Sequence, residues 1–262
     1  MTNPKEPFFF SFSDYARKME YYEGLTSGVT TEKIVGEATP IYSETTLIPE
    51  IASRLFHYNE NAKIIYIVRE PISRLKSVWR QTLSTSHWNK YVYEKYTDSR
   101  VVPRMSKNFI EAIYQYPPYL EACKYWTHLG NYRKYFADSS ILLLFFEDLK
   151  QDPGLIYNKL CNFLNIDNSY NLDDVLNDRV NSSIGKTQEK QWVAMLKRSK
   201  IIFSIYNYLK KSFGFHRLPF TRKSIQYEVQ INEQEIKKIQ LLLKDEIDGI
   251  LNYGGKKSDF WG

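Results

Sequence analysis

Cysteine is scarce in this chain: Cys123 and Cys161 are the only two in 262 residues. They lie far apart with no CxxC or Cys/His spacing, so no disulfide framework or zinc site is indicated, and both are expected to pack as small apolar residues. The four histidines, His57, His87, His128 and His216, are scattered. A histidine-based triad or a metal cluster therefore has little support, and no metal is expected. No stretch approaches the roughly 18 apolar residues of a membrane span, and the first residues lack the basic-then-apolar order of a signal peptide. The expectation is a soluble, untargeted, cytoplasmic chain. Internal repeats, low-complexity tracts and Gly/Ser linkers are also missing, so one domain over residues 1–262 is expected.

What is present is an ordinary globular composition, 43% apolar and 25% charged, with an unusual 16% of aromatics that includes 21 tyrosines. Most of these suit a core and a half-buried surface. The net charge of +6 and pI of about 9.0 admit anionic partners such as nucleotides, sulfated or uronic glycans, nucleic acid or an acidic membrane, and are equally compatible with simple solubility. Basic residues are dispersed apart from clusters such as LKRSK and LKKS, so no nucleic-acid partner is expected.

Three runs have strand character: KIVGEA near Val35, AKIIYIV from Ala62 to Val68, and ILLLFF from Ile141 to Phe146. The last two lack alternation, the pattern of strands covered on both faces. Helical patterns between and after them imply an α/β fold with a parallel sheet flanked by helices. Pro71 suits the first turn of a helix with Ile72, Leu75, Trp79 and Leu83 on one stripe. Asp152-Pro153 opens another containing Leu160, Phe163 and Leu164. Asn232 with Glu235 resembles a capping box before Ile236, Ile239, Leu243, Ile247 and Ile250, a single helix ended by Gly254. The stretch from about Ser86 to Tyr116 lacks periodicity and is expected to be an excursion over the sheet.

In IIYIVREPISRLKSVW a buried strand runs into Arg69 and Pro71 starts a helix. This puts Arg69 at the carboxyl edge of the sheet beside a helix N-terminus, where α/β proteins bind anions. Ser77 follows Arg74 by three residues, so the two can share a face, and a guanidinium with a hydroxyl suits a phosphate monoester. Arg69 pairing with an edge carboxylate while Ser77 faces solvent accounts for the pattern equally. Glu37, Thr39 and Tyr42 of GEATPIYSE can line the same edge, although a capping or pairing role for Glu37 is the stronger reading. Glu147 and Asp148 of FFEDLKQDP read as helix-entry and turn acids. VNSSIGKT has Val180 where a Walker A loop needs glycine, and no strand precedes it, so an ATPase is rejected. Lys186 within it is either an anion contact or an ordinary surface lysine.

Taken in order, KEPFFF, GEATPIY, AKIIYIVREPISRLKSVW, PPYLEACKYW, ILLLFFEDLKQDP and LNYGGKKSDFW resemble the sulfotransferase family that includes heparan sulfate sulfotransferases and their bacterial relatives. The resemblance covers nearly the whole chain and implies the P-loop NTPase-like sulfotransferase fold. It also implies transfer of a sulfuryl group from 3′-phosphoadenosine 5′-phosphosulfate, without a metal, to a hydroxyl or amine, with a carbohydrate as the expected acceptor. Carried over from the family, Arg69 and Ser77 hold the donor's 3′-phosphate, and Lys186, which comes from VNSSIGKT and not from the family, is counted beside them as a candidate cofactor-binding residue. Glu6 is the general base, with Lys5 beside it. Phe8 stands where several glycan sulfotransferases have histidine, and Ala38 where they have lysine. The family's phosphosulfate loop would come before KEPFFF, so the chain is expected to begin after its first strand, loop and helix. The alternative implied is an inactive truncated member that binds nucleotide or glycan.

Overall fold

The computed structural model describes residues 2, 4–85, 106–169, 187–189, 222–224 and 229–262. Helices α1 (Met19–Gly24) and α2 (Ile51–Tyr58) precede strand β1 (Ile64–Val68). The crossover then runs through α3 (Pro71–Thr85), α4 (Phe109–Gln115), α5 (Pro118–Glu121) and α6 (Tyr125–Tyr132) to β2 (Ile141–Phe145). The two strands pair in parallel, Ile64 opposite Ile141 through to Val68 opposite Phe145, as a helical crossover demands. After β2 come α7 (Phe146–Gln151) and α8 (Pro153–Leu164), a short antiparallel pair β3 (Thr187–Glu189) and β4 (Arg222–Ser224), and finally α9 (Glu233–Leu242) and α10 (Lys244–Tyr253). This is the α/β class expected. No helix among the described residues is long and apolar enough to cross a membrane.

Two apolar clusters hold the elements together. One packs Phe9, Phe10, Ile51, Val68, Phe145 and Trp261 around the sheet. The other is built on the predicted stripe of α3, where Ile72, Leu75, Trp79 and Leu83 are all buried against Phe109, Ile113, Ile239 and Leu243. Full burial of each such side chain contributes roughly 1.5–3 kcal/mol. The helix ends follow local chemistry. Asp152 Oδ1 accepts from the Leu155 N–H at 2.8 Å, and Asn232 Oδ1 from the Glu235 N–H at 2.8 Å.

Four expectations are corrected. KIVGEA forms no strand. Its neighbourhood is paired singly with the N-terminal segment, Thr2 N–H to Gly36 O and Ala38 N–H to Lys5 O, so no ladder propagates, and Ile34 and Val35 stay exposed. β1 is not covered on both faces, because Ile65 and Ile67 are exposed while Tyr66 and Val68 are buried. The single C-terminal helix is two, broken at Leu243. α9 carries Ile239 into the α3 cluster and α10 carries Ile250 and Leu251 into the sheet cluster, and one straight axis does not serve both. Within the expected excursion from Ser86 to Tyr116, residues 109–115 are the helix α4, capped by Asn108. VNSSIGKT up to Lys186 lies outside the described residues.

Candidate functional site

The phenylalanine run near the N-terminus is an anchor. Phe9 and Phe10 are fully buried. Phe9 stacks on Tyr22 at 4.2 Å, the Phe10 N–H donates to Tyr42 Oη at 3.0 Å, and Arg54 Nη1 donates to Phe10 O at 2.8 Å. With both neighbours fixed inside, Phe8 takes φ 56° and ψ 15°, the left-handed region. For a bulky residue that costs on the order of 1–3 kcal/mol. A small network supports it: the Phe8 N–H donates to Thr39 Oγ1 at 3.3 Å, which donates to Glu37 Oε2 at 2.9 Å, while Tyr22 Oη donates to Glu37 Oε1 at 2.6 Å. Burial first, and the Glu37 carboxylate second, hold the Tyr22 hydroxyl far above the usual phenol range. Glu37 thus supports Phe8 through Thr39 and is itself held by Tyr22, with no arginine partner among the described residues.

The strained turn leaves the Phe8 ring 39% exposed on the wall of a cavity of about 340 Å³. Glu6 lines the same cavity. Arg74, Val78 and Thr82, one helical row of α3, line it too, with Tyr116 and Tyr119 from around α5. Glu44 completes the polar set. Its carboxyl is raised above the ordinary value by burial, against the attraction of Arg74. The Arg74 Nε is enclosed and has no hydrogen-bond partner among the described residues. Arg74 and Glu44 attract each other without approaching to ion-pair distance, and the guanidinium lies over the Tyr125 ring, 5.8 Å from it.

At the carboxyl edge of the sheet the N-terminus of α3 is already used. The Glu70 carboxylate accepts from the Ile72 N–H at 2.7 Å and the Ser73 N–H at 2.6 Å, so the chain's own acid takes the anion position that the dipole offers. Glu147 accepts from the Glu70 N–H at 3.0 Å and from Trp261 Nε1 at 3.2 Å, and Asp148 pairs with Lys256 at 2.7 Å. Glu147 and Asp148 of FFEDLKQDP are therefore structural. Arg69 stays uncommitted: its guanidinium lies over the Phe146 ring at 4.9 Å, and no carboxylate among the described residues pairs with it. Its backbone carbonyl accepts from Tyr125 Oη at 2.9 Å.

Of the residues singled out in the sequence, Glu6 reaches the cavity wall, whereas Lys5 is exposed outside it and contributes its carbonyl to Ala38. Arg69 stands at the end of β1. Ser77 is half-buried on α3, about 9 Å along the axis from Pro71. Neither lines the cavity, and Lys186 lies outside the described residues. Sequence reasoning missed Glu44, Tyr116 and Tyr119. The available signal was Arg74 inside the Arg-x-Pro-x-x-Arg pattern, a cation at a position whose helical neighbours Leu75 and Val78 are apolar.

Residues 4–240 match the family model described as sulfotransferase domain. Heparan sulfate glucosamine 3-O-sulfotransferase 5 of Mus musculus is 29% identical over 129 residues, 49% of this chain and 35% of that protein. The membrane-associated sulfotransferase kil1 of Dictyostelium discoideum is 32% identical over 124 residues, 46% of this chain and 25% of that protein. The chain thus matches about a third or less of the length of these relatives. The crystal structure of a sulfotransferase from Alicyclobacillus acidocaldarius is similar with a TM-score of 0.58 at 14% identity, covering 94% of this chain and 74% of that one, a likeness of fold.

Proposed function

The chain belongs to the sulfotransferase domain family, and from that premise we propose that it moves a sulfuryl group from 3′-phosphoadenosine 5′-phosphosulfate to a hydroxyl or amine held beside Glu6, with a carbohydrate as the acceptor class. The observation that carries the reading is Arg69, a guanidinium at the sheet edge left without an acidic partner among the described residues while the nearby acids are occupied elsewhere. The residues present fit the donor to that extent. Arg69 would hold the 3′-phosphate as a charge-assisted donor, and Ser77 would add a hydroxyl. The donor supplies the electrophilic sulfur.

The chain's own part is proton transfer and exclusion of water. The acceptor's oxygen or nitrogen bonds to sulfur, its proton passes to the Glu6 carboxylate, and the bridging S–O bond breaks with its electron pair leaving on adenosine 3′,5′-bisphosphate. The Phe8, Tyr116 and Tyr119 walls limit water around the acceptor. The family's heparan sulfate members support the carbohydrate class. The test is calorimetric binding of adenosine 3′,5′-bisphosphate together with transfer of labelled sulfate to a panel of sugars and small alcohols. Absence of both in the folded chain would refute the proposal.

A further inference from the structure

Phe8 is disfavoured on two counts by the fold that holds it. Its backbone sits at φ 56°, a conformation that glycine adopts freely and a bulky side chain resists. Its ring is also left outside the core. Phe9 and Phe10 are fully buried in the sheet cluster, whereas Phe8 belongs to neither apolar cluster and is exposed. Phe9 stacks on Tyr22, and Phe10 meets Tyr42 and Tyr58, but the Phe8 ring has no ring or cation partner among the described residues. A strained residue kept in place by its surroundings points to a task for its side chain.

What this residue presents is its ring. The Phe8 N–H donates to Thr39 Oγ1, and the Phe8 carbonyl accepts from both the N–H and the hydroxyl of Ser11, so both backbone polar groups are taken. The residue lines the cavity together with Val78, Tyr116 and Tyr119. Glu6 lines the same cavity, and only the buried Pro7 stands between the two. Two trans peptide units keep their Cα atoms within about 7.6 Å of each other, and the fixed φ of the proline stiffens that relation. Three consecutive residues thus bring a carboxylate and an unpacked aromatic ring to one space.

The face of an aromatic ring is electron-rich, so it attracts C–H bonds and repels hydroxyl oxygens. A pyranose whose axial hydroxyls all lie on one side has a bare C–H face on the other. One with axial oxygens on both sides has none. We propose that Phe8 is a specificity-determining residue of the acceptor site, the platform on which a pyranose ring lies through a bare C–H face with one of its hydroxyls directed to Glu6. This rests on reading Glu6 as the proton acceptor of the transferase, and it adds the shape that the acceptor ring must have.

The test uses the folded chain without donor and two probes. Methyl β-galactopyranoside has one face of C–H bonds alone, and methyl α-mannopyranoside carries an axial oxygen on each face. In NMR titrations the galactoside is expected to bind about three- to tenfold more tightly, the span that an aromatic contact supplies. Its protons on the bare face should shift upfield, the signature of a ring current. Phe8→Leu keeps an apolar side chain without the ring, so most of that shift should vanish and the two sugars should bind alike. Phe8→Gly removes ring and strain together. Its melting point should stay near the wild-type value, whereas Phe9→Ala, which opens a hole in the core, should lower it markedly.

A galactoside that does not bind, or binds no better than the mannoside, overturns the proposal. So does an upfield shift unchanged in Phe8→Leu, or a Phe8→Gly chain that melts as low as Phe9→Ala, because the ring would then be a core group. Calorimetry with adenosine 3′,5′-bisphosphate separates this from the transferase reading. Loss of bisphosphate binding with the sugar results intact would refute that reading and leave the platform standing, and the reverse pattern would refute the platform alone.

Discussion

Glu147 accepts a hydrogen bond from the backbone N–H of Glu70 at 3.0 Å, tying the ends of the two paired strands together. Its second oxygen accepts from the Trp261 indole, so one carboxylate joins β1, β2 and the last residues of the chain. Glu147→Ala leaves a half-buried N–H and an indole N–H without their partner. The expected loss is about 1–3 kcal/mol of stability, read by chemical denaturation, with a shift in tryptophan emission at zero denaturant.

Arg69→Ala is expected to weaken binding of adenosine 3′,5′-bisphosphate by about 1.5–3 kcal/mol, the range for a hydrogen bond to a charged group. Arg69 stacks on Phe146 and has no acidic partner among the described residues, so the fold should tolerate the change. Calorimetry on the variant decides, and unchanged affinity removes Arg69 from the donor site.

Glu6→Gln separates chemistry from donor binding. Turnover should fall roughly a hundredfold or more while bisphosphate affinity stays close to wild type. Glu6 is exposed on the cavity wall, and its loss disturbs no buried contact. Full turnover in this variant would assign the proton transfer to another group.

His128 is wholly buried, its Nε2 donating to Glu121 O at 2.8 Å and its Nδ1 accepting from Thr45 Oγ1 at 3.2 Å. Burial holds its pKa below the ordinary 6.5. The unfolded chain therefore takes up a proton at a pH where the folded one does not. The stability this imidazole contributes is complete above pH 6.5 and is lost as the pH falls below that value. Thermal unfolding between about pH 7 and 5 should show the midpoint dropping with acid, and His128→Gln should flatten that slope. Parallel slopes in the two proteins would show that other groups govern it.

Gly249 lies against the Trp126 indole so closely that a methyl group would come within 2.5 Å of Cγ. Gly249→Ala gains helix propensity but forces the ring aside, and overpacking of this kind costs about 1–3 kcal/mol. A lowered melting temperature is the expected result. An increase would mean that α10 and α6 separate freely.

Much of this was legible from the chain alone. The apolar runs at Ile64–Val68 and Ile141–Phe145, the stripe from Ile72 to Leu83, and the caps at Asp152 and Asn232 depend on spacing and on side chains that bond their own backbone. The sulfotransferase family was legible for a related reason, since its ordered motifs are short local patterns. KIVGEA failed because strand character needs a partner ladder, and the neighbouring chain supplies only isolated hydrogen bonds.

The sequence by itself determined the α/β class, the parallel order of its two main strands and the buried stripe of α3, because hydrophobic periodicity and local capping act within a few residues. Only the tertiary structure decided that Glu70 caps its own helix, that Glu147 is a strut, and that Glu44 and Arg74 line one cavity without touching. Those outcomes depend on where distant segments come to rest against one another, and on whether a buried charge finds its partner in contact or across a space. No local pattern encodes that distance.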